Sequence, residues 1–351
     1  MKKICIVGAG LFGTTLSLIL SKNKNFEIDV FEKNNDILCE TSLKNQQRFH
    51  LGYHYPRSVN TVKEIKKSSN EFIKFYGKNI FGKTNNIYGI SDFGSKLTYD
   101  KYSKIIKKFK LKLKKINISL FSKLVNNSII TEEKNLDYFK IKKKIISQIK
   151  KSNNINLKLN QSISKEIVKK YDKVILCAYS NNNNLLYKLG YKKNKLKKKR
   201  YELVEKIIVK LPKKFKNLSV VILDGNFLNF DPFIGTNYHL LSVVKESKIE
   251  VIKNKFPKFQ NYKKKYLKYK FIRNKKISHF KKFITFGKKF VPLLSEAKYI
   301  KSAYVIRCID ISKSNQNRKT LVKLYGNKVI TVFSGKWNNC VTISNQIKKL
   351  L

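Results

Sequence analysis

Alanine and arginine are nearly missing from this chain. Of 351 residues only four are Ala (9, 178, 297, 303) and six are Arg (48, 57, 200, 273, 307, 318). The 77 basic residues, set against 22 acidic ones for a net charge of +55, are therefore almost all lysine. A surface built to read nucleic acid relies on the forked arginine side chain, so nucleic acid is not the expected partner. Little Ala and Arg beside 36 Asn and abundant Lys, Ile and Phe is what an A/T-rich coding sequence writes by default, and most of the charge reads as solvated surface. No run of about 18 apolar residues exists, which excludes a membrane-spanning helix. The five cysteines (5, 39, 177, 308, 340) are scattered, odd in number and form no CxxC. They argue against a disulfide framework or a zinc site and fit a reducing cytoplasm. There is no internal repeat. What is present is a 42% hydrophobic composition with 23 Phe and 19 Tyr, enough for a large core in one or two domains and too much for a disordered polybasic chain.

The N-terminus carries the clearest pattern. Lys3 to Val7 reads as a short buried strand, followed at once by Gly8-Ala9-Gly10-Leu11-Phe12-Gly13 and an apolar helical stretch. A second strand, Glu27 to Phe31, ends in Glu32, nineteen residues past the last glycine. Met1-Lys2-Lys3 before apolar residues imitates a signal peptide, but the glycines give that stretch a different purpose. In a strand–GxGxxG–helix–strand–acid unit the first glycine makes the tight turn, the second admits a pyrophosphate, and the third lets helix and strand pack. The helix N-terminus offers N–H groups and positive dipole to phosphate. The acid accepts hydrogen bonds from ribose hydroxyls and disfavours a 2′-phosphate, which leaves FAD and NAD. Leu11, Phe12 and Lys33 belong to the same cofactor-binding set.

Residues 36 to 60 concentrate scarce side chains: two of the four His, two of the six Arg and one of the five Pro. Ser42-x-x-Asn45 and His50-x-Gly52-x-x-Tyr55, after the fingerprint, resemble the D-amino-acid-oxidase-like superfamily of FAD oxidoreductases. The motifs are nearest those of glycine and sarcosine oxidases and L-2-hydroxyglutarate oxidases. The resemblance implies that FAD is the cofactor. It also implies that Ser42, Asn45 and Arg48 lie near the flavin and that His50 and Gly52 border the substrate face. His54 and Arg57 read as loop anchors. Tyr171 to Ser180 resembles a later strand and turn of the family, usually ending Ala-Thr-Gly; here Cys177-Ala178-Tyr179 stands instead, with Ala178 at the cofactor. The strand near 328–333, the turn Ser334-Gly335-Lys336 and the final helix resemble the family's return to the flavin, with Gly335 and Lys336 in contact. Arg307, by position, resembles the arginine that grips a substrate carboxylate. Arg318 is a weaker candidate, and Cys308 reads as a buried thiol rather than a flavin tether.

The expected fold is α/β (α+β overall). A Rossmann-like FAD-binding domain takes residues 1–82, 123–190 and 300–351, and a mainly antiparallel-sheet substrate domain takes 83–122 and 191–299. Asp224-Gly225 and Asp231-Pro232 read as tight turns of that sheet, and His239 as structural. The resemblance implies oxidation of a CH–NH or CH–OH group in a small anionic amino acid, amine or 2-hydroxy acid, by hydride transfer to flavin N5. His50 would orient the substrate or act as base, and Arg307 would hold the carboxylate. Alternatives are a nucleotide-sugar mutase-like flavoenzyme and a non-catalytic flavin or basic binding protein. The electron acceptor, oxygen or another, is left open. The basic run 192–200 leaves room for peripheral membrane contact or an acidic partner, with a solvated connection as the plainer reading.

Overall fold

The structure, a computed structural model, describes residues 1–225, 227–311 and 320–351. Among these, six strands form a first sheet in the order Leu321–Tyr325, Val329–Phe333, Lys173–Leu176, Lys2–Val7, Phe26–Phe31, Ile155–Lys158. All run parallel except Leu321–Tyr325, which pairs antiparallel with its neighbour. Period-two alternation makes both faces apolar, as a parallel sheet covered on both sides requires. Ile4, Ile6, Ile28, Val30, Ile175 and Ile330 share one core with the helices Leu11–Leu20, Tyr138–Lys150 and Asn339–Lys348. Cys5, Val7, Val174, Leu176 and Val329 face a second core with Val168, Leu185 and Leu186. The helix Tyr138–Lys150 shows how local sequence does this. Asp137 caps it by accepting from the Lys140 N–H, and Tyr138, Ile141, Ile145 and Ile149 recur at helical spacing on its buried side.

The second sheet has nine strands. Its spine is Lys199–Lys210, flanked by Lys298–Asp310 along one edge and by Lys248–Asn254 and His239–Val243 along the other. Leu228–Pro232, Leu218–Leu223, Asn85–Ile90, Asn127–Thr131 and Lys114–Ile116 continue it, all antiparallel except Leu218–Leu223 beside Asn85–Ile90. The α/β unit with a second, mainly antiparallel sheet is therefore the architecture observed.

Four readings differ from the sequence expectation. Asn127–Thr131, placed at 123–190 with the first domain, hydrogen-bonds into the second sheet, and so does Lys298–Asp310, most of which was expected in the first. A short apolar run reads the same in either sheet, and only its partner decides. Asp231-Pro232 is not a turn but the end of a strand. Pro is tolerated at a strand end, where no ladder N–H is needed, and Asp231 is fully buried against Arg48. The basic run is not a loose connection throughout: Lys199 and Arg200 open the long strand, and Arg200 pairs with Glu202 at 2.8 Å. Among the described residues no helix is long and apolar enough to cross a membrane.

Candidate cofactor and substrate site

The C-terminal ends of Lys2–Val7, Phe26–Phe31 and Lys173–Leu176 meet at one crevice, the place where open parallel sheets bind ligands. Gly8 leaves the first strand at φ 104°, a region that glycine alone enters freely, and a Cβ there would stand 3.0 Å from the Cys177 carbonyl oxygen. A Cβ on Gly13 would lie 1.9 Å from the Gly8 carbonyl oxygen, so helix and strand meet only because it is absent. Gly10 is different. It caps the helix at φ −70°, and a Cβ on it would meet nothing closer than Ser42 Oγ at 3.6 Å, an ordinary contact. Nothing inside the protein requires glycine there. The helix it starts has no acid in its first turn. An open cradle at an acid-free helix N-terminus fits a pyrophosphate.

Glu32 forms the far wall. Its Oε2 accepts from the Ala9 N–H at 2.8 Å, and its Oε1 accepts from the Asn34 backbone N–H at 3.0 Å and side-chain amide at 2.7 Å. A carboxylate has about four acceptor positions, so capacity for a ribose hydroxyl is left. Leu11 is buried and Phe12 packs on the same core, so what they can offer a ligand is backbone. The Leu11 N–H already donates to Ser42 Oγ at 3.1 Å, which brings Ser42 to the helix start. Ala178 lies against Gly8 and donates its N–H to Asn182 Oδ1 at 3.0 Å. Lys33 points outward and pairs with Glu40 at 3.0 Å. Asn45 closes its own loop: its amide donates to the Thr41 carbonyl at 2.9 Å and its Oδ1 accepts from the Gln47 N–H at 2.6 Å. Gly52, buried at φ 122°, is demanded by packing, because a Cβ would stand 3.0 Å from Val62 Cγ1.

Arg48 is not where its expected cofactor role would put it. Its side chain is 2% exposed and turned into the protein against the second sheet. It donates to Asp231 Oδ1 at 2.6 Å, Ser219 Oγ at 2.5 Å and Asn86 Oδ1 at 3.2 Å, with Glu133 3.7 Å away and the Tyr88 ring beneath it. A guanidinium committed to this set fastens its own segment to the second sheet rather than holding a ligand. Arg57 and Asp224 pair at 2.7 Å and fasten the loop to the second sheet. His239 is buried, donates from Nε2 to the Phe215 carbonyl at 3.1 Å, and is shifted by burial toward its neutral form.

His50 and Lys336, remote in sequence, come together around Tyr55. The His50 ring lies 5.2 Å from His54 and 5.4 Å from Tyr55, and Lys336 Nζ lies 5.8 Å from the centre of the Tyr55 ring. Lys336 is buried at the start of the last helix and pairs with Glu64 at 3.3 Å. The Asn338 amide donates to the His50 carbonyl at 2.8 Å, tying loop to helix. Behind His50 stands Glu133, wholly buried, its Oε2 3.5 Å from Nδ1. Sequence reasoning missed Glu133. The available signal was an acidic pair, Glu132-Glu133, in a chain with few acids.

At the altered turn Tyr179 takes φ 50°, the left-handed conformation that a glycine would supply. Tyr179 thus takes, with a side chain, the conformation that glycine adopts most freely. The Tyr179 ring stacks on Phe333 at 5.5 Å, its hydroxyl bridges the Cys308 N–H and carbonyl, each at 3.0 Å, and a Cβ on Gly335 would come within 3.8 Å of that hydroxyl. Cys308 is buried and burial pushes its thiol up to about 12, as expected of an inert cysteine. Arg307 is half-exposed, but its Nε donates to Glu202 Oε2 at 2.5 Å and Nη2 pairs with the same oxygen, while Arg200 holds Oε1. The two-pronged edge expected to grip a substrate is occupied by an internal carboxylate. Arg318 lies outside the described residues.

A family model for an NAD(P)-binding Rossmann-like domain matches residues 6–72. An FAD-dependent monooxygenase from Fusarium mangiferae is 30% identical over 101 residues, 29% of this chain and 27% of that protein, so the match spans about a quarter of the relative's length. Solved structures match throughout. L-alpha-glycerophosphate oxidase from Mycoplasma pneumoniae, reduced and with FAD bound, has a TM-score of 0.72 at 14% identity, covering 100% of this chain and 95% of that one. L-proline dehydrogenase from P. horikoshii gives 0.70 at 14% identity over 99% and 92%. Glycine oxidase from Geobacillus kaustophilus gives 0.67 at 12% identity over 100% and 94%. At such identities the likeness is one of fold.

Proposed function

We propose, for a chain that has the fold of the FAD oxidoreductases of the D-amino-acid-oxidase-like superfamily, that it binds FAD and oxidises a small anionic substrate at a carbon bearing nitrogen or oxygen. The observation that carries the cofactor is Gly10, a glycine with no internal reason, beside Glu32 and an acid-free helix start. Gly8, Gly10 and Gly13 would admit the pyrophosphate, Glu32 the ribose, and the Gly335-Lys336 turn the far end of the cofactor. FAD, when bound, supplies the two-electron acceptor; the protein supplies placement and electrostatics. Buried Lys336 offers positive charge at a helix start, where negative charge is stabilised. His50, on the loop beside it, takes a proton from a hydroxyl substrate or orients an amine. Arg200 and Arg307 share one carboxylate, Glu202, so this strand pair keeps a surplus positive charge that attracts an anionic substrate without the two-pronged grip.

Purified protein loaded with FAD and mixed anaerobically with amino, N-methylamino and 2-hydroxy acids tests this reading. Bleaching of the visible flavin absorbance by one class is the expected result. A chain that takes up no FAD sinks it. The effect of His50→Asn reports the chemistry: a hydroxy acid loses its base and bleaches about 100-fold or more slowly, whereas an amine that binds as free base loses far less.

A further inference from the structure

We infer that Glu133 is a positioning residue for His50, fixing which ring nitrogen carries the proton and so presenting Nε2 to the substrate. The inference rests on the role proposed for His50 and adds to it a residue on a different element. Glu133 sits between Asn127–Thr131 and Lys134–Asn135 and is fully buried. Its own geometry is fixed from three sides. Oε1 accepts from the Leu51 N–H at 2.9 Å; Oε2 accepts from the Tyr88 hydroxyl at 2.5 Å and stands 3.7 Å from Arg48 Nη1. His50 Nδ1 stands 3.5 Å from Oε2, a charge contact longer than a well-formed hydrogen bond, and it is buried with no other hydrogen-bond partner among the described residues; the His50 side chain is 21% exposed while that of Glu133 is not exposed at all. A carboxylate can only accept, so the nitrogen beside it is the one that carries hydrogen, and the opposite nitrogen is left as the basic one.

The charges agree. Arg48 faces two buried carboxylates, Asp231 and Glu133, which leaves the cluster one negative charge in excess, and an N–H of His50 turned toward Glu133 presents its positive end to that charge. The other groups around the ring are His54 and Tyr55 from its own loop and Lys336 behind Tyr55, itself paired with Glu64. None of them puts a second carboxylate against the imidazole. Burial works to raise the Glu133 pKa, but His50, Arg48 and Tyr88 bring it down to about 2, so the carboxylate is ionised wherever the protein is folded and working.

The test is Glu133→Gln in FAD-loaded protein. Gln keeps the shape but can turn an amide N–H toward Nδ1, which favours the opposite tautomer. The expected result is an imidazole whose hydrogen moves from Nδ1 to Nε2, seen by nitrogen-15 correlation spectra of histidine-labelled protein. With four histidines in the chain, His50→Asn identifies the signal. Substrate-driven bleaching should slow by about 10²-fold, with little change in KM and unchanged FAD content. Tyr88→Phe, which keeps the charge and loosens the carboxylate, should keep the Nδ1–H tautomer and cost only several-fold. An unchanged tautomer in Glu133→Gln overturns the positioning role, whatever the rates do. If His50→Asn bleaches as fast as the parent, the role of His50 itself falls, and the tautomer measurement still decides whether Glu133 sets the ring.

Discussion

Gly10→Ala is expected to leave the protein as stable as the parent and to abolish tight FAD binding, while Gly13→Ala is expected to unfold it or nearly so. Two glycines three residues apart, one capping the helix and one in its first turn, thus give opposite results, and the reason is what each missing side chain would touch. At Gly13 a Cβ falls 1.9 Å from the backbone oxygen of Gly8, just past the first strand, which cannot move aside as a side-chain tip could. Overpacking of even ordinary interiors costs about 1–3 kcal/mol, and a collision with the backbone exceeds it. At Gly10 the same methyl meets only Ser42 Oγ at 3.6 Å, and the backbone is in a conformation any residue adopts. Alanine at that position should, if anything, favour the fold slightly, since glycine carries an entropic cost. The lost space is the space a pyrophosphate needs. Urea midpoints of the FAD-free proteins and FAD titration followed by flavin fluorescence separate the two effects. Equal FAD affinity in Gly10→Ala and the parent would mean that no phosphate sits at this helix start.

The contrast shows which parts of the molecule could be read from the sequence. The crevice could, because its parts are local. A strand, three glycines, a helix and an acid lie within 32 residues, each type forced by a steric or dipolar demand of its neighbours. Most antiparallel strands of the second sheet could too, as short apolar runs, though Lys114–Ile116 and Lys248–Asn254, rich in lysine, could not. Which sheet a run joins could not be read. Asn127–Thr131 and Lys298–Asp310 are apolar strands that would suit either sheet, and pairing over long sequence separations chose the second. Arg48 shows the same limit at one residue. Its scarcity in a lysine-rich chain did signal a task that only a fork-shaped cation performs. The task is internal, because Asp231 and Glu133, 183 and 85 residues further on, come to meet it. Arg307 repeats the pattern with Glu202, its cross-strand neighbour. Scarcity marks an arginine as needed, but the partner that needs it is set by the fold.

Arg48→Met is expected to destabilise the folded protein by about 3–5 kcal/mol at neutral pH, the range for removing one partner of a buried ion pair. The dependence on pH gives the sharper result. In the parent, Glu133 is ionised with a pKa lowered from the usual 4.5 to about 2. A carboxyl whose folded pKa is depressed adds stability that is present above its unfolded pKa and lost as pH falls through the folded one. The parent should therefore weaken between about pH 4.5 and pH 2, with Glu133 contributing roughly 3 kcal/mol of the loss. In Arg48→Met part of this support goes. Glu133 loses one of the groups that lower its pKa, with His50 and Tyr88 left, so burial weighs more against the charged form and its folded pKa moves back up toward the unfolded one. The stability that it adds above its unfolded pKa shrinks accordingly. The gap between variant and parent should then be widest at neutral pH and narrow as pH falls below about 4.5. Urea unfolding at a series of pH values measures it directly. A gap that stays constant with pH would show that Met costs the protein only packing, and that Glu133 does not depend on Arg48 for its charge. Because Glu133 also stands against His50, the same substitution should disturb the site from a distance: FAD content is expected to hold while substrate-driven reduction changes, since Arg48 touches the carboxylate and not the crevice.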